Sequence, residues 1–101
     1  MNALDAIGNP VRRELLEQLQ ASPRSVSELH STLAKPISRP AVSKHLRLLS
    51  DAGLVTHESV GTRNLYRLRP EGFEPVRAYL ERFWDDAIAR YKMVAENLEA
   101  E

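Results

Sequence analysis

The sequence predicts a mostly α (α+β) fold: several helices, one β-hairpin and a long closing helix. Three observations carry this. Apolar residues recur at three- and four-residue steps through the first half and again through the last third. The period drops to two between residues 55 and 69, and serine, proline and glycine signals punctuate the joins.

Asn9-Pro10 pairs a capping side chain with proline at the first helical position, where its missing N–H is no loss and its fixed φ is already helical. Val11, Leu15 and Leu19 then line one face of a helix reaching about Ala21. Before it, Leu4 and Ile7 make a short apolar face within residues 2–8 that needs a packing partner from elsewhere. Ser25-Val26-Ser27-Glu28 has the spacing of a capping box and opens a second helix, with Val26, Leu29 and Leu33 on one side. Lys35-Pro36 ends that helix, because the proline ring disfavours helical geometry in the preceding residue, and lengthens the turn that follows. Ser38 caps the next helix, with Ile37 and Val42 at the two positions of a hydrophobic staple. It runs to about Ala52, where Gly53 supplies a left-handed cap and Leu54 folds back toward Leu49.

Beyond it, Val55, His57 and Ser59 alternate with Thr56, Glu58 and Val60, Gly61-Thr62 marks a turn, and Tyr66 and Leu68 alternate with Leu65, Arg67 and Arg69, which is a hairpin. Pro70-Glu71-Gly72 breaks the strand. Phe73, Val76, Leu80, Phe83, Ala87, Tyr91, Val94 and Leu98 then repeat at helical steps; Tyr79, Trp84 and Ile88 widen the stripe beyond one packing surface, so this helix is expected to face two partners. Without repeat, linker or low-complexity tract, residues 1–101 are expected to form a single domain.

A chain of 101 residues, 43% hydrophobic and 28% charged, has room for one core and gains from sharing apolar surface with a second copy. The lack of cysteine excludes disulfides and thiolate metal sites. No run approaches the ~20 apolar residues that cross a bilayer. Met1-Asn2-Ala3-Leu4-Asp5 lacks the basic start of a secretory signal, so a cytoplasmic chain without a membrane partner is expected. Net charge is zero but divided. Residues 39–69 hold six basic and two acidic side chains, a balance of plus four, and residues 71–101 hold four basic and eight acidic ones, a balance of minus four. A basic middle beside an acidic tail suits a molecule that meets phosphates on one side.

Helix, turn, helix and hairpin in this order is the plan of a winged helix-turn-helix, and the second helix of the pair decides whether bases can be read. Val42, Leu46 and Leu49 must face the core, which turns Pro40, Lys44 and Arg47 outward, with Ser43 at the edge and Arg39 at the exposed start. Arginine and lysine can donate twice to guanine, and serine reaches either kind of base edge, so this face fits a major groove of double-stranded DNA. Thr62, Arg63 and Asn64 at the hairpin tip, and Arg67 on its outer face, are placed for phosphate or minor groove. Ser25 and Ser27 sit at a helix start whose free amides favour anions. His45 lies on the core side, where a hydrogen-bonded structural role is expected; His30 and His57 stand alone. No metal-ligand cluster, catalytic triad or glycine-rich phosphate loop occurs, so the chain is expected to be no enzyme and to need no cofactor or metal. The alternative is a protein-interaction module whose acidic, aromatic last helix docks another polypeptide. Steep weakening with salt distinguishes DNA binding from it.

The run from Ser38 to Leu49, followed by Ala52-Gly53-Leu54-Val55 and by Gly61 to Leu68, with the opening Ala6 to Arg13, strongly resembles the ArsR family of bacterial regulators over nearly the whole chain. The resemblance implies a winged-helix homodimer that represses transcription by covering a promoter and often lets go when an effector binds. Whether this chain has such an effector, small molecule or protein, the sequence leaves open, and twofold symmetry predicts an imperfect palindrome as its operator. By position the resemblance implies a recognition helix holding Arg39, Pro40, Ser43, Lys44 and Arg47, a wing holding Arg63, and a dimer contact at or near Leu4, Ile7, Phe83, Trp84, Ile88 and Tyr91. Metal-sensing members carry cysteines before the recognition helix or histidine and acidic ligands on the last helix. Here Ser27 to Leu33 and a helix without histidine fill those places, so the likeness is to the metal-independent branch.

Overall fold

A computed structural model describes residues 1–100. It comprises α1 (Ala3–Ala6), α2 (Pro10–Ala21), β1 (Arg24–Ser25), α3 (Val26–Thr32), α4 (Arg39–Asp51), β2 (Val55–Val60), β3 (Arg63–Leu68), a 3₁₀ turn (Pro70–Phe73) and α5 (Glu74–Ala100).

The starts of α2, α3 and α4 and the end of α4 are built as their sequences predict, whereas α3 stops at Thr32, short of the Lys35-Pro36 break expected to end it. Asn9 accepts from the Val11 and Arg12 amides, Ser25 and Glu28 complete a capping box, and Ser38 accepts from the Ala41 amide. At the end of α4 the Leu54 amide donates to the Leu49 carbonyl and the Gly53 amide to that of Ser50, both at 3.0 Å, with Gly53 at φ 79°. This Schellman pattern satisfies the last carbonyls and turns the chain into β2.

The sheet has three antiparallel strands in the order β1-β3-β2, so the expected hairpin gains a short third strand, with Arg24 opposite Tyr66 and Ser25 opposite Leu65. The hairpin closes through Gly61 and Thr62; positive φ at the glycine alone matches a tight turn whose twist suits the paired strands.

Leu15, Leu16, Leu19, Leu29, Val42, Leu46, Leu49, Leu54 and Val76 are buried together with Ala3 and Ala6 of α1. α1 packs against α5 and α4 and buries Ala3 and Ala6, while Leu4 and Ile7, the face expected from the sequence, are half-buried against the core. Among the described residues, Val76 is the one residue of α5 in this cluster. The rest of α5 leaves the body, and Trp84, Tyr91 and Leu98 are 66%, 72% and 68% exposed.

Candidate nucleic-acid interface

The position of α4 follows from three fully buried side chains, Val42, Leu46 and Leu49, at 0% exposure. Their opposite face carries Arg39, Pro40, Ser43, Lys44 and Arg47, all exposed as expected. The turn joining α3 to α4 spans the six residues 33–38, longer than the three or four typical of such turns. It is pinned from both sides. The Ala34 amide donates to the Glu14 carboxylate at 2.6 Å, Gln18 Nε2 donates to the Thr32 carbonyl at 3.2 Å, and His30 Nε2 donates to the Ile37 carbonyl at 2.8 Å.

A second constraint on α4 was hidden in the sequence. Arg12 is only 8% exposed, and its Nε donates to the Ala6 carbonyl at 2.7 Å, at the end of α1. Its Nη1 lies 3.4 Å from His45 Nδ1. Guanidinium has donors only, so this ring nitrogen accepts and a neutral His45 carries its proton on Nε2. One side chain therefore ties α1, α2 and α4 together, and His45 is hydrogen-bonded on the core side of its helix. Burial first, then Arg12 and Lys44, holds the imidazole below its ordinary range. Because the unfolded chain then binds the proton more readily, the neutral ring's contribution to stability is complete above about pH 6.5 and is lost as pH falls through the lowered folded value. Urea midpoints measured between about pH 7.5 and 5 should fall more steeply for the parent chain than for His45→Gln; parallel acid limbs would remove the linkage.

Thr62, Arg63 and Asn64 are exposed at the wing tip, and Arg67 is exposed on its outer face. Both wing arginines already hold a carboxylate. Arg63 Nη2 donates to Glu28 Oε1, and Arg67 Nη2 to Glu58 Oε1. Ser25 needs correcting as a phosphate ligand: it is 7% exposed and its Oγ donates to Glu28 at 3.0 Å, because the capping box consumes it. Ser27 stays exposed. Ser27, Glu28, Arg39, Thr62, Arg63 and Asn64 share one open cleft of about 610 Å³ between the start of α3, the start of α4 and the wing.

Of the residues placed at a dimer contact, Phe83, Trp84 and Tyr91 are exposed, while Leu4, Ile7 and Ile88 are half-buried, the first two against the core of their own chain. Leu80, Val94 and Leu98 lie bare beside them. Among the described residues no group of three or more His, Asp or Glu is placed to hold a metal ion, and no helix is long and apolar enough to cross a membrane.

Comparison with known proteins agrees with this geometry. Residues 7–58 match the family described as helix-turn-helix domain. The chain is 40% identical over 95 residues to the HTH-type transcriptional regulator Rv2034 of Mycobacterium tuberculosis, covering 94% of this chain and 87% of that protein. A crystal structure described as a possible transcriptional regulator for arsenical resistance superposes with a TM-score of 0.76 at 36% identity, covering 89% of this chain and 96% of the other. An ArsR-like transcriptional regulator from Rhodococcus sp. RHA1 gives 0.69 at 34% identity, with 91% and 88% covered.

Proposed function

The chain belongs to the ArsR family of winged helix-turn-helix, DNA-binding transcription regulators, and from that premise we propose that it works in the cytoplasm as a homodimeric repressor of a palindromic operator. The observation that carries this is the exposed basic face of α4, turned outward by Val42, Leu46 and Leu49. In the proposed complex Arg39, Pro40, Ser43, Lys44 and Arg47 enter the major groove. Ser27, Thr62, Arg63, Asn64 and Arg67 meet the backbone on either side. Function is by binding alone, without a catalytic step, cofactor or metal.

The dimer is supported by the bare stripe of α5. Leu80, Trp84, Ala87, Tyr91, Val94 and Leu98 alternate four- and three-residue steps, a 3.5-residue repeat suited to left-handed pairing of two helices. Twofold symmetry then sets the two α4 helices about one DNA turn, ~34 Å, apart, and operator symmetry follows protein symmetry.

Lys44→Ala and Arg47→Ala test the reading face. On a genomic fragment selected by the parent protein, each is expected to lose about 1–3 kcal/mol of binding where it reads a base, with a smaller loss on random DNA. An unchanged isotherm for both would remove α4 as the reader.

A further inference from the structure

We propose that Glu28 sets DNA affinity by competing with the phosphate backbone for Arg63. This rests on the wing contact of the preceding section. In the free protein Glu28 is held by the capping box of α3, where its Oε1 accepts from the Ser25 amide at 3.3 Å and from Ser25 Oγ at 3.0 Å. That fixed carboxylate reaches 35 residues along the chain to Arg63 and lies in the cleft where Ser27, Arg39, Thr62 and Asn64 would receive a phosphate. Among the described residues it is the one acidic side chain lining the cleft.

The pair is built to open. The side chains of Arg63 and Glu28 are 58% and 43% exposed, and an ion pair so wetted contributes little. A backbone phosphate, though tetrahedral, offers the guanidinium two non-bridging oxygens in place of the carboxylate's, so Arg63 can exchange one anion for another at small net cost. Glu28 cannot leave with it, being tied to Ser25. Parting the pair is a cost that each binding event carries, and it lowers affinity below what Arg63 would give with no acid beside it. Arg67 and Glu58 repeat the arrangement on the outer face of the hairpin, so in the free protein both wing arginines are neutralised by acids of the same chain.

The experiment is a double-mutant cycle on DNA binding, with a fluorescently labelled random-sequence duplex of about 30 base pairs, since phosphate contacts carry no sequence information. Glu28→Gln keeps the capping box, because glutamine accepts at the same position, and removes the charge. Glu28→Gln is expected to bind about three- to fivefold tighter at low salt, Arg63→Gln to bind weaker, and Glu28→Gln to gain nothing in the Arg63→Gln background. A gain that survives undiminished without Arg63 is plain repulsion and overturns the exchange. If Arg63→Gln weakens binding but Glu28→Gln changes nothing, the exchange fails while the wing contact stands. If Arg63→Gln binds like the parent, the wing contact fails and the exchange with it. In the unmodified chain the Arg63 guanidinium resonance is expected to shift on saturation with duplex, and a resonance that does not move overturns the exchange independently of any variant's stability.

Discussion

A Gly72→Ala chain is expected to be less stable than its parent by about 3 kcal/mol, at the upper end of what overpacking costs. A Cβ built on Gly72 would lie 1.8 Å from the Gly53 carbonyl oxygen and 2.7 Å from its carbon. Both are backbone atoms, so no rotamer change relieves the contact. Gly53 is also the left-handed residue that ends α4, with its amide committed to Ser50 and its neighbour Leu54 fully buried. Moving it would disturb the cap of α4, and moving Gly72 instead would shift the 3₁₀ turn that delivers α5. Urea denaturation of both chains at one protein concentration measures the difference, since a dimer's stability depends on concentration. Superimposable midpoints would mean that the turn and the cap can separate without cost. A drop of this size should also weaken DNA binding, because the end of α4 would lose its fixed position.

That role of Gly72 was invisible in the sequence, where Pro70-Glu71-Gly72 reads only as a strand breaker. Signals that act within a few residues were legible: Asn9 before Pro10, the Ser25–Glu28 box, Ser38, the Gly53 cap and the two-residue turn at Gly61 all stand where their spacing places them. The outward face of α4 was legible for the same reason, since Val42, Leu46 and Leu49 fix it by helical geometry alone. What escaped depends on chain segments far apart in sequence. The strand of Arg24 and Ser25 has two residues, too few to show a period, and exists only because β3 pairs with it. Arg12 looks like an ordinary surface cation until the end of α1 and His45 close over it. Glu28 was accounted for as a cap, and nothing local told of Arg63.

Replacing Trp84 with glutamate is expected to turn the proposed dimer into monomers and to abolish binding to a full palindrome at concentrations where the parent saturates it. Trp84 is 66% exposed on a helix whose one core residue among those described is Val76, and Leu80 and Tyr91 flank it on the same stripe. Covering that indole contributes about 3 kcal/mol per copy at ~25 cal/mol per Å². Twofold symmetry counts every substitution twice, so the loss approaches 6 kcal/mol, or roughly four powers of ten in the dimer dissociation constant. A carboxylate in its place adds desolvation and faces its own symmetry mate, while the fold of each copy is untouched because Trp84 takes no part in the core. Sedimentation velocity reads the first effect, and titration of half-site and full-site duplexes reads the second. A monomer retains the contacts of one α4 but loses the high effective concentration that its partner gives the second half-site, so its affinities for half-site and full-site should converge. A variant that sediments as a dimer, or still prefers the full site as the parent does, would place the contact between copies elsewhere than on the bare stripe of α5.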